Sequence, residues 1–162
     1  VISMTIIHGA ESSMEEREEF LTIPFAKRIK IANDKARPGL TNNNSVLDVK
    51  KIEDMAKSEE FILSISSRGY GKVTSAYGYR ITKRSGSGVI NMTTTKKTGD
   101  VVCSMPAKPT DEVMLITDSG RVIRCKLDKV RVTGRSTQGV ILFKTPENEK
   151  IVSCALIEEN ED

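Results

Sequence analysis

The sequence lacks the residue types from which hydrolytic active sites are usually assembled. Its 162 residues include no tryptophan, one histidine, three cysteines and only 4% aromatic residues. His8 is the single imidazole and lies outside the motifs that recur later in the chain, so a Ser/His/Asp triad is excluded there. No phosphate-binding P-loop motif is present. We therefore predict no catalytic residues in this chain.

The cysteine pattern also argues against a metal site and against a disulfide framework. Cys103, Cys125 and Cys154 lie far apart, without a Cys-x-x-Cys pair, and each falls in an apolar, strand-like run. This pattern favours buried free thiols in a reducing compartment. We expect a cytoplasmic protein with neither a zinc site nor a disulfide.

Long apolar runs are missing as well. No run approaches the roughly 18 residues that cross a bilayer, and no basic and apolar leader is present, so we expect no membrane span. The first residues, Val1-Ile2-Ser3-Met4, are typical of the end of a strand. We interpret the chain as a fragment of a longer protein.

What the sequence does contain is a repeat. Residues 79–91 match residues 130–142 without a gap at an offset of 51, and the same offset carries Gly69 onto Gly120 and Cys103 onto Cys154. Repetition of short strands between glycine turns is typical of propeller blades. One supersecondary unit is therefore used twice.

Alternating apolar residues predict two sets of short strands. The first set is 61–66, 70–76, 79–82, 88–93 and 101–105, and the second is 113–117, 121–127, 129–133, 139–144 and 151–157. Gly69 and Gly120 mark tight turns between the first two strands of each set. The fold class is mainly β, a partial β-propeller of about two four-stranded antiparallel blades with a short helical insertion.

The helical insertion is predicted ahead of the strands. Ser13 and Glu16 form a capping-box pattern for a helix from residue 14 to 21 or 23, followed by a basic loop or helix edge at 27–30. Ser45 and Asp48 repeat the pattern before a second helix at about 46–58. Residues 33–44, rich in Asn, Pro and Gly, are predicted to be a mobile linker.

The chain accordingly divides into five predicted segments. They are the end of a preceding blade at 1–7, the insertion at 8–60, a penultimate blade at 61–109, a last blade at 110–157 and an acidic tail at 158–162.

Charge is unevenly distributed along these segments. The net charge is +3, but residues 61–135 hold fourteen Lys and Arg against five Asp and Glu, whereas residues 158–162 hold four acids and no base. A basic body suggests a polyanionic partner, and the alternative is a basic face that is merely solvated.

Strand alternation places many of these cations outward. If Ile123 and Cys125 face the core, Arg124 and Lys126 face water, and evenly spaced cations can follow a lattice of phosphates without reading bases. For Arg84 and Arg135 the alternative is hydrogen bonding to neighbouring turn carbonyls. The candidate DNA-binding residues are Lys72, Arg80, Lys83, Arg84, Arg124, Lys126, Arg131 and Arg135.

Several of these motifs resemble a known family. The run Gly69-Tyr70-Gly71-Lys72 and above all Gly134-Arg135-Ser136-Thr137-Gln138-Gly139 resemble the last two blades of the C-terminal domain of the DNA gyrase A subunit. The likeness covers residues 1–4 and 61–157. Residues 8–58 interrupt it and are interpreted as a lineage-specific insertion.

This resemblance implies a β-pinwheel whose basic perimeter wraps double-stranded DNA, supporting ATP-dependent negative supercoiling by a type IIA topoisomerase. It also implies an A2B2 holoenzyme, formed with a second A subunit together with the gyrase B subunit, in which ATP, Mg²⁺ and the cleaving tyrosine belong to other parts. The alternatives are a protein-interaction propeller that binds no nucleic acid and the equivalent module of the topoisomerase IV A-type subunit.

Overall fold

A computed structural model describes residues 2–8, 11–38 and 45–157, which form two compact units. The β unit contains residues 2–6, 61–75 and 89–157, and the helical unit contains residues 7–8, 11–38, 45–60 and 76–88. The predicted acidic tail at 158–162 and residues 39–44 of the predicted linker lie outside the described residues. In the described part of the chain, no helix is long and apolar enough to cross a membrane.

The β unit contains two antiparallel sheets built from seven strands. In chain order the strands are β1 (Phe61–Ser66), β2 (Tyr70–Ser75), β3 (Val101–Pro106), β4 (Glu112–Thr117), β5 (Val122–Lys126), β6 (Val140–Ile141) and β7 (Ile151–Ile157). The first sheet has the order β3-β1-β2-β6 and the second has the order β5-β4-β7. The fold class predicted from the sequence, mainly β with a helical insertion, is confirmed.

Local sequence signals explain the two hairpins at the centre of these sheets. Gly69 between β1 and β2 has a φ of 79°, and Gly120 between β4 and β5 has a φ of 80°, as the predicted turns require. In β4 the side chains of Val113 and Leu115 are fully buried and alternate with partly exposed neighbours. All six residues of β1 are buried, as expected for a strand inside its sheet.

The strands that follow each hairpin differ from the prediction. Residues 79–82, 88–93 and 129–133 are not strands, although Val132 forms an isolated parallel bridge with Val73. The predicted strand at 139–144 shortens to β6, which pairs with β2 of the first repeat and not with the second sheet. The second sheet therefore has three strands instead of four, because a strand of the second repeat completes the first sheet.

The prediction of three free thiols is wrong. A disulfide joins Cys103 of β3 to Cys154 of β7, and all three cysteines are half-buried. The two bonded residues occupy equivalent positions of the repeat, a proximity that sequence spacing alone did not reveal. Cys125 is free, and burial raises the pKa of its thiol.

The helical unit has three helices where two were predicted. They are α1 (Met14–Thr22), α2 (Phe25–Ala32) and α3 (Val49–Lys57). The capping box at α1 is confirmed, with the Ser13 hydroxyl accepting from the Glu16 amide and the Glu16 carboxylate accepting from the Ser13 amide. At α3 the cap is Asp48 itself, which accepts from the Lys51 amide at 2.7 Å. The helix therefore begins at residue 49 and not at 46.

One apolar core holds the helices to the short 3-10 turn at Ala76–Gly78. Phe20, Ile52 and Met55 are buried there, and the ring of Phe20 meets that of Tyr77 edge to face with centroids 5.4 Å apart. The Tyr77 hydroxyl donates to the Met55 carbonyl oxygen at 3.2 Å. Residues 76–88, expected to belong to the penultimate blade, therefore contribute to the helical unit.

A buried ion pair closes this core. Arg28 of α2, expected on a solvated edge, is only 5% exposed, and its guanidinium bonds to the carboxylate of Glu59, which is 2% exposed. The guanidinium carbon also lies 5.3 Å from the centroid of the Phe20 ring. Burial lowers the pKa of Arg28, and the Glu59 carboxylate opposes that shift. The ion pair thus offsets part of the desolvation cost of each charge.

We predict that Arg28→Ala destabilises the helical unit by about 3–5 kcal/mol, because it removes the cation that is paired with the buried Glu59 carboxylate. Hydrogen exchange of the α1–α3 amides would report the loss locally. Lys30→Ala, at an exposed position of the same helix, should change stability by less than about 0.5 kcal/mol. Equal losses in the two variants would contradict a structural role for the pair.

Candidate nucleic-acid interface

The exposed face of β5 carries two of the predicted cations. Arg124 and Lys126 point to solvent while Ile123 and Cys125 are half-buried, so the predicted alternation holds. Both cations contact Glu112 of the neighbouring β4, Arg124 through Nε and Lys126 through Nζ at 3.6 Å. The Glu112 carboxylate therefore offsets one of their two positive charges, and the three side chains together carry a net charge of +1.

The motif 134–139 forms a turn that begins three residues after exposed Arg131. Thr137 Oγ1 donates to the Gly134 carbonyl oxygen at 2.9 Å, and the guanidinium of half-buried Arg135 donates to the Ile90 carbonyl oxygen at 2.9 Å. This acceptor is 45 residues away in sequence, so Arg135 joins distant segments of the β unit.

The expectation that Lys72 lies on an exposed rim is wrong. Its side chain is completely buried, and Nζ donates to the carbonyl oxygens of Gly134, at 3.0 Å, and Arg135. Burial, and secondarily the charge of Arg135, lowers the pKa of Lys72 to about 8. Lys72 therefore supports the turn that carries Arg135, and its ammonium faces the protein instead of a ligand.

The remaining predicted cations belong to the helical unit. Arg80, Lys83 and Arg84 are exposed in the irregular segment after the 3-10 turn, where Arg80 donates to the Gly88 carbonyl oxygen at 3.4 Å. The structure thus places Arg124, Lys126, Arg131 and Arg135 in the β unit, and Arg80, Lys83 and Arg84 in the helical unit. That these seven cations contact DNA remains a prediction.

Sequence reasoning missed another group of cations in the β unit. Arg68, Lys96, Lys97 and Lys144 converge on a cavity of about 670 Å³. The Lys96-Lys97 pair was visible in the sequence, between predicted strands. Its proximity to Lys144 depends on the pairing of β6 with β2, which no local pattern indicates.

The fold and these cations together define the class of protein, a β-propeller-type domain with a basic surface. The β unit consists of repeated antiparallel sheets of the β-propeller type, with cationic side chains exposed beside the repeat motifs. Residues 60–102 and 111–158 match the family model for the DNA gyrase C-terminal domain, beta-propeller. The chain belongs to this family, and the resemblance stated from the sequence is confirmed.

Curated relatives agree with this assignment. The DNA gyrase A subunit of Rickettsia typhi is 53% identical over 162 residues, covering 100% of this chain and 18% of the relative. The same protein of Granulibacter bethesdensis is 35% identical over 99% of this chain and 18% of its own length, and that of Salmonella typhimurium is 38% identical over 65% and 12%. The chain spans less than a fifth of the length of these relatives.

Solved structures show the same fold. A structure of the DNA gyrase A C-terminal domain superposes with a TM-score of 0.56 at 26% identity, covering 63% of this chain and 35% of that one. The C-terminal domain of DNA topoisomerase IV superposes with a TM-score of 0.55 at 22% identity, covering 63% and 31%. The second likeness concerns the fold alone.

We predict that Gly139→Ala disrupts the pairing of β2 with β6. Gly139 has a φ of 77°, and an added Cβ would lie 2.4 Å from the carbonyl oxygen of Gly71. The strain and the clash together should cost at least about 2 kcal/mol in urea unfolding. Gly134→Ala is the matched control in the same motif, because a Cβ there meets open space. Similar losses in both variants would contradict this account.

We also predict a pH dependence from Lys72. Because its pKa is about 8 in the folded state and 10.5 ordinarily, the unfolded state binds more protons between these values. The unfolding free energy of the native protein should therefore rise, relative to Lys72→Met, as pH increases from about 8 to 10.5. Denaturant unfolding of both proteins across this range would measure the difference, and a difference that falls with pH would refute the assignment.

Proposed function

We propose that this chain is part of the DNA-binding and DNA-wrapping module of a DNA gyrase A subunit. The observation that carries the proposal is the exposed set Arg124, Lys126 and Arg131 on a β unit whose two repeats match the gyrase C-terminal family. Guanidinium and ammonium groups bind phosphate oxygens without base contacts, so the expected ligand is the backbone of double-stranded DNA.

Wrapping requires many such contacts in series. Bending 20–30 base pairs by 40–90° costs on the order of 1–6 kcal/mol, and each cation supplies only a fraction of the compensating attraction. Since Glu112 neutralises part of the charge of Arg124 and Lys126, the β unit alone should bind weakly. Its contribution is to extend a longer path of cations on the whole protein.

We further propose that the whole protein acts in the cytoplasm as an A2B2 complex, formed with a second A subunit together with the gyrase B subunit. In that complex it would support ATP-dependent negative supercoiling by a type IIA topoisomerase. The ATP and Mg²⁺ are assigned to other parts of the complex. Among the described residues, no group of three or more His, Cys, Asp or Glu is arranged to hold a metal ion.

We predict that duplex binding by the full-length protein depends steeply on salt. If this part of the protein neutralises about five phosphates, it contributes about −4.5 to the slope of log K against log salt, so a fourfold rise in salt should weaken binding by at least roughly several hundredfold. Arg131→Ala should reduce the slope by about 1, whereas Arg131→Lys should keep it, because one positive charge remains. Fluorescence anisotropy with a labelled duplex measures both slopes.

Affinity for random duplex that ignored salt would exclude this function. A slope left unchanged by Arg131→Ala would exclude Arg131 from the interface while leaving the proposal for the module intact.

A further inference from the structure

The basic cavity of the β unit lies at the end of the β1–β2 hairpin. Arg68 belongs to the hairpin turn, Lys96 and Lys97 to a turn before β3, and Lys144 to the segment after β6. The cavity, about 670 Å³, lies within the range of pockets that hold ligands. It combines segments of both repeats and contains none of the cations proposed from the sequence.

Three hydrogen bonds hold Arg68 in place at this cavity. Its amide donates to the Thr98 carbonyl oxygen at 3.2 Å, and its carbonyl oxygen accepts from Thr145 Oγ1 at 3.4 Å. Its guanidinium donates to the Glu147 carbonyl oxygen at 2.6 Å, and the residue is only half-exposed. The guanidinium is thus positioned before any ligand arrives, which lowers the entropy cost of binding.

Tyr70 forms an apolar wall beside these cations. The residue is 9% exposed and pairs with Ile141 across β2 and β6. The ammonium of Lys97 lies 6.0 Å from the centroid of its ring. A low-dielectric surface next to a cation strengthens the attraction of an anion, because less water screens the charges.

The charges of the cavity are not balanced within the protein. Four cations face one carboxylate, that of Glu147, and among the described residues none of the four cations forms an ion pair. This differs from Arg124 and Lys126, which share Glu112. Clustered like charges repel one another, so an anion in the cavity would relieve the repulsion as well as gain the attraction.

We propose that this cavity binds a backbone phosphate of duplex DNA and is a fixed anchor on the wrapped path. The inference deepens the proposed function and rests on it. Arg68 would supply the positioned guanidinium, while Lys96, Lys97 and Lys144 would neutralise the phosphodiester and its neighbour. Glu147 would limit the affinity of the site.

The test uses the full-length protein and a labelled duplex over a series of salt concentrations. Lys96→Gln with Lys97→Gln should reduce the salt slope by about 2 and weaken binding by tens of fold at about 0.1 M salt, since each contact contributes roughly eightfold there. Lys108→Gln with Lys129→Gln removes the same charge from exposed lysines outside the cavity and should have a much smaller effect. Equal effects of the two double variants would overturn the site, although the native salt slope would still support DNA binding.

Removing the negative charge of Glu147 tests the opposite effect, a gain in duplex affinity. Glu147→Gln keeps the backbone carbonyl that binds Arg68 and should tighten duplex binding several-fold, whereas Asp128→Asn, an exposed acid outside the cavity, should not. No gain from Glu147→Gln would count against the site.

A third arm distinguishes a backbone phosphate from free phosphate. Replacing chloride with inorganic phosphate at constant ionic strength should not displace the duplex from the native protein. If inorganic phosphate displaced the duplex from the native protein but not from the Lys96 and Lys97 double variant, the cavity would be a site for free phosphate, and the assignment to DNA would be wrong. If native binding ignored salt altogether, the proposed function itself would fail.

Discussion

The pairing of β6 with β2 is the constraint on which the rest of the β unit depends. It places a strand of the second repeat at the edge of the first sheet, so neither repeat completes its sheet alone. Backbone bonds extend the junction, with the amides of Leu142 and Ile151 donating to the carbonyl oxygens of Gly69 and Ser67 at 2.8 and 2.9 Å. Because these bonds join residues far apart in sequence, the two repeats should fold together.

The same junction organises the candidate interface. Buried Lys72 in β2 donates to the carbonyl oxygens of Gly134 and Arg135 and so fixes the turn of the family motif. Arg135 then reaches the Ile90 carbonyl oxygen, which ties a third segment to that turn. A cation expected to contact DNA thus acts inside the protein, where its fixed ammonium keeps the neighbouring segments in register.

Features set by local chemistry were predictable from the sequence. The capping box of Ser13 and Glu16, the glycine turns at 69 and 120, and the outward positions of Arg124 and Lys126 all follow from spacing within a few residues. Features set by distant contacts were not predictable. The exchange of β6, the bond between Cys103 and Cys154 and the burial of Lys72 each require knowing which strands become neighbours. Helix α2 was missed because its two most buried residues, Arg28 and Ile31, include a charge whose partner, Glu59, lies 31 residues away in sequence.

The two repeats diverge at the turn that supplies Lys96 and Lys97 to the basic cavity. At the offset of 51, Lys96 and Lys97 correspond to Glu147 and Asn148, and Thr98 corresponds to Glu149. In the first repeat Ser66 Oγ donates to the Thr98 carbonyl oxygen at 2.7 Å, which leaves the preceding lysines exposed.

In the second repeat the buried side chain of Glu149 takes over the stabilisation of the turn. Its carboxylate accepts from the Ser119 hydroxyl at 2.6 Å and approaches Arg121 at 3.5 Å. Hydrogen bonds from the hydroxyls of Ser119 and Thr117 lower the pKa of Glu149. The positive charge of Arg121 is thus paired with Glu149 within the turn and is less available to a ligand. One scaffold therefore supports two different surfaces, and the residues that stabilise each turn decide whether its cations stay available for phosphate.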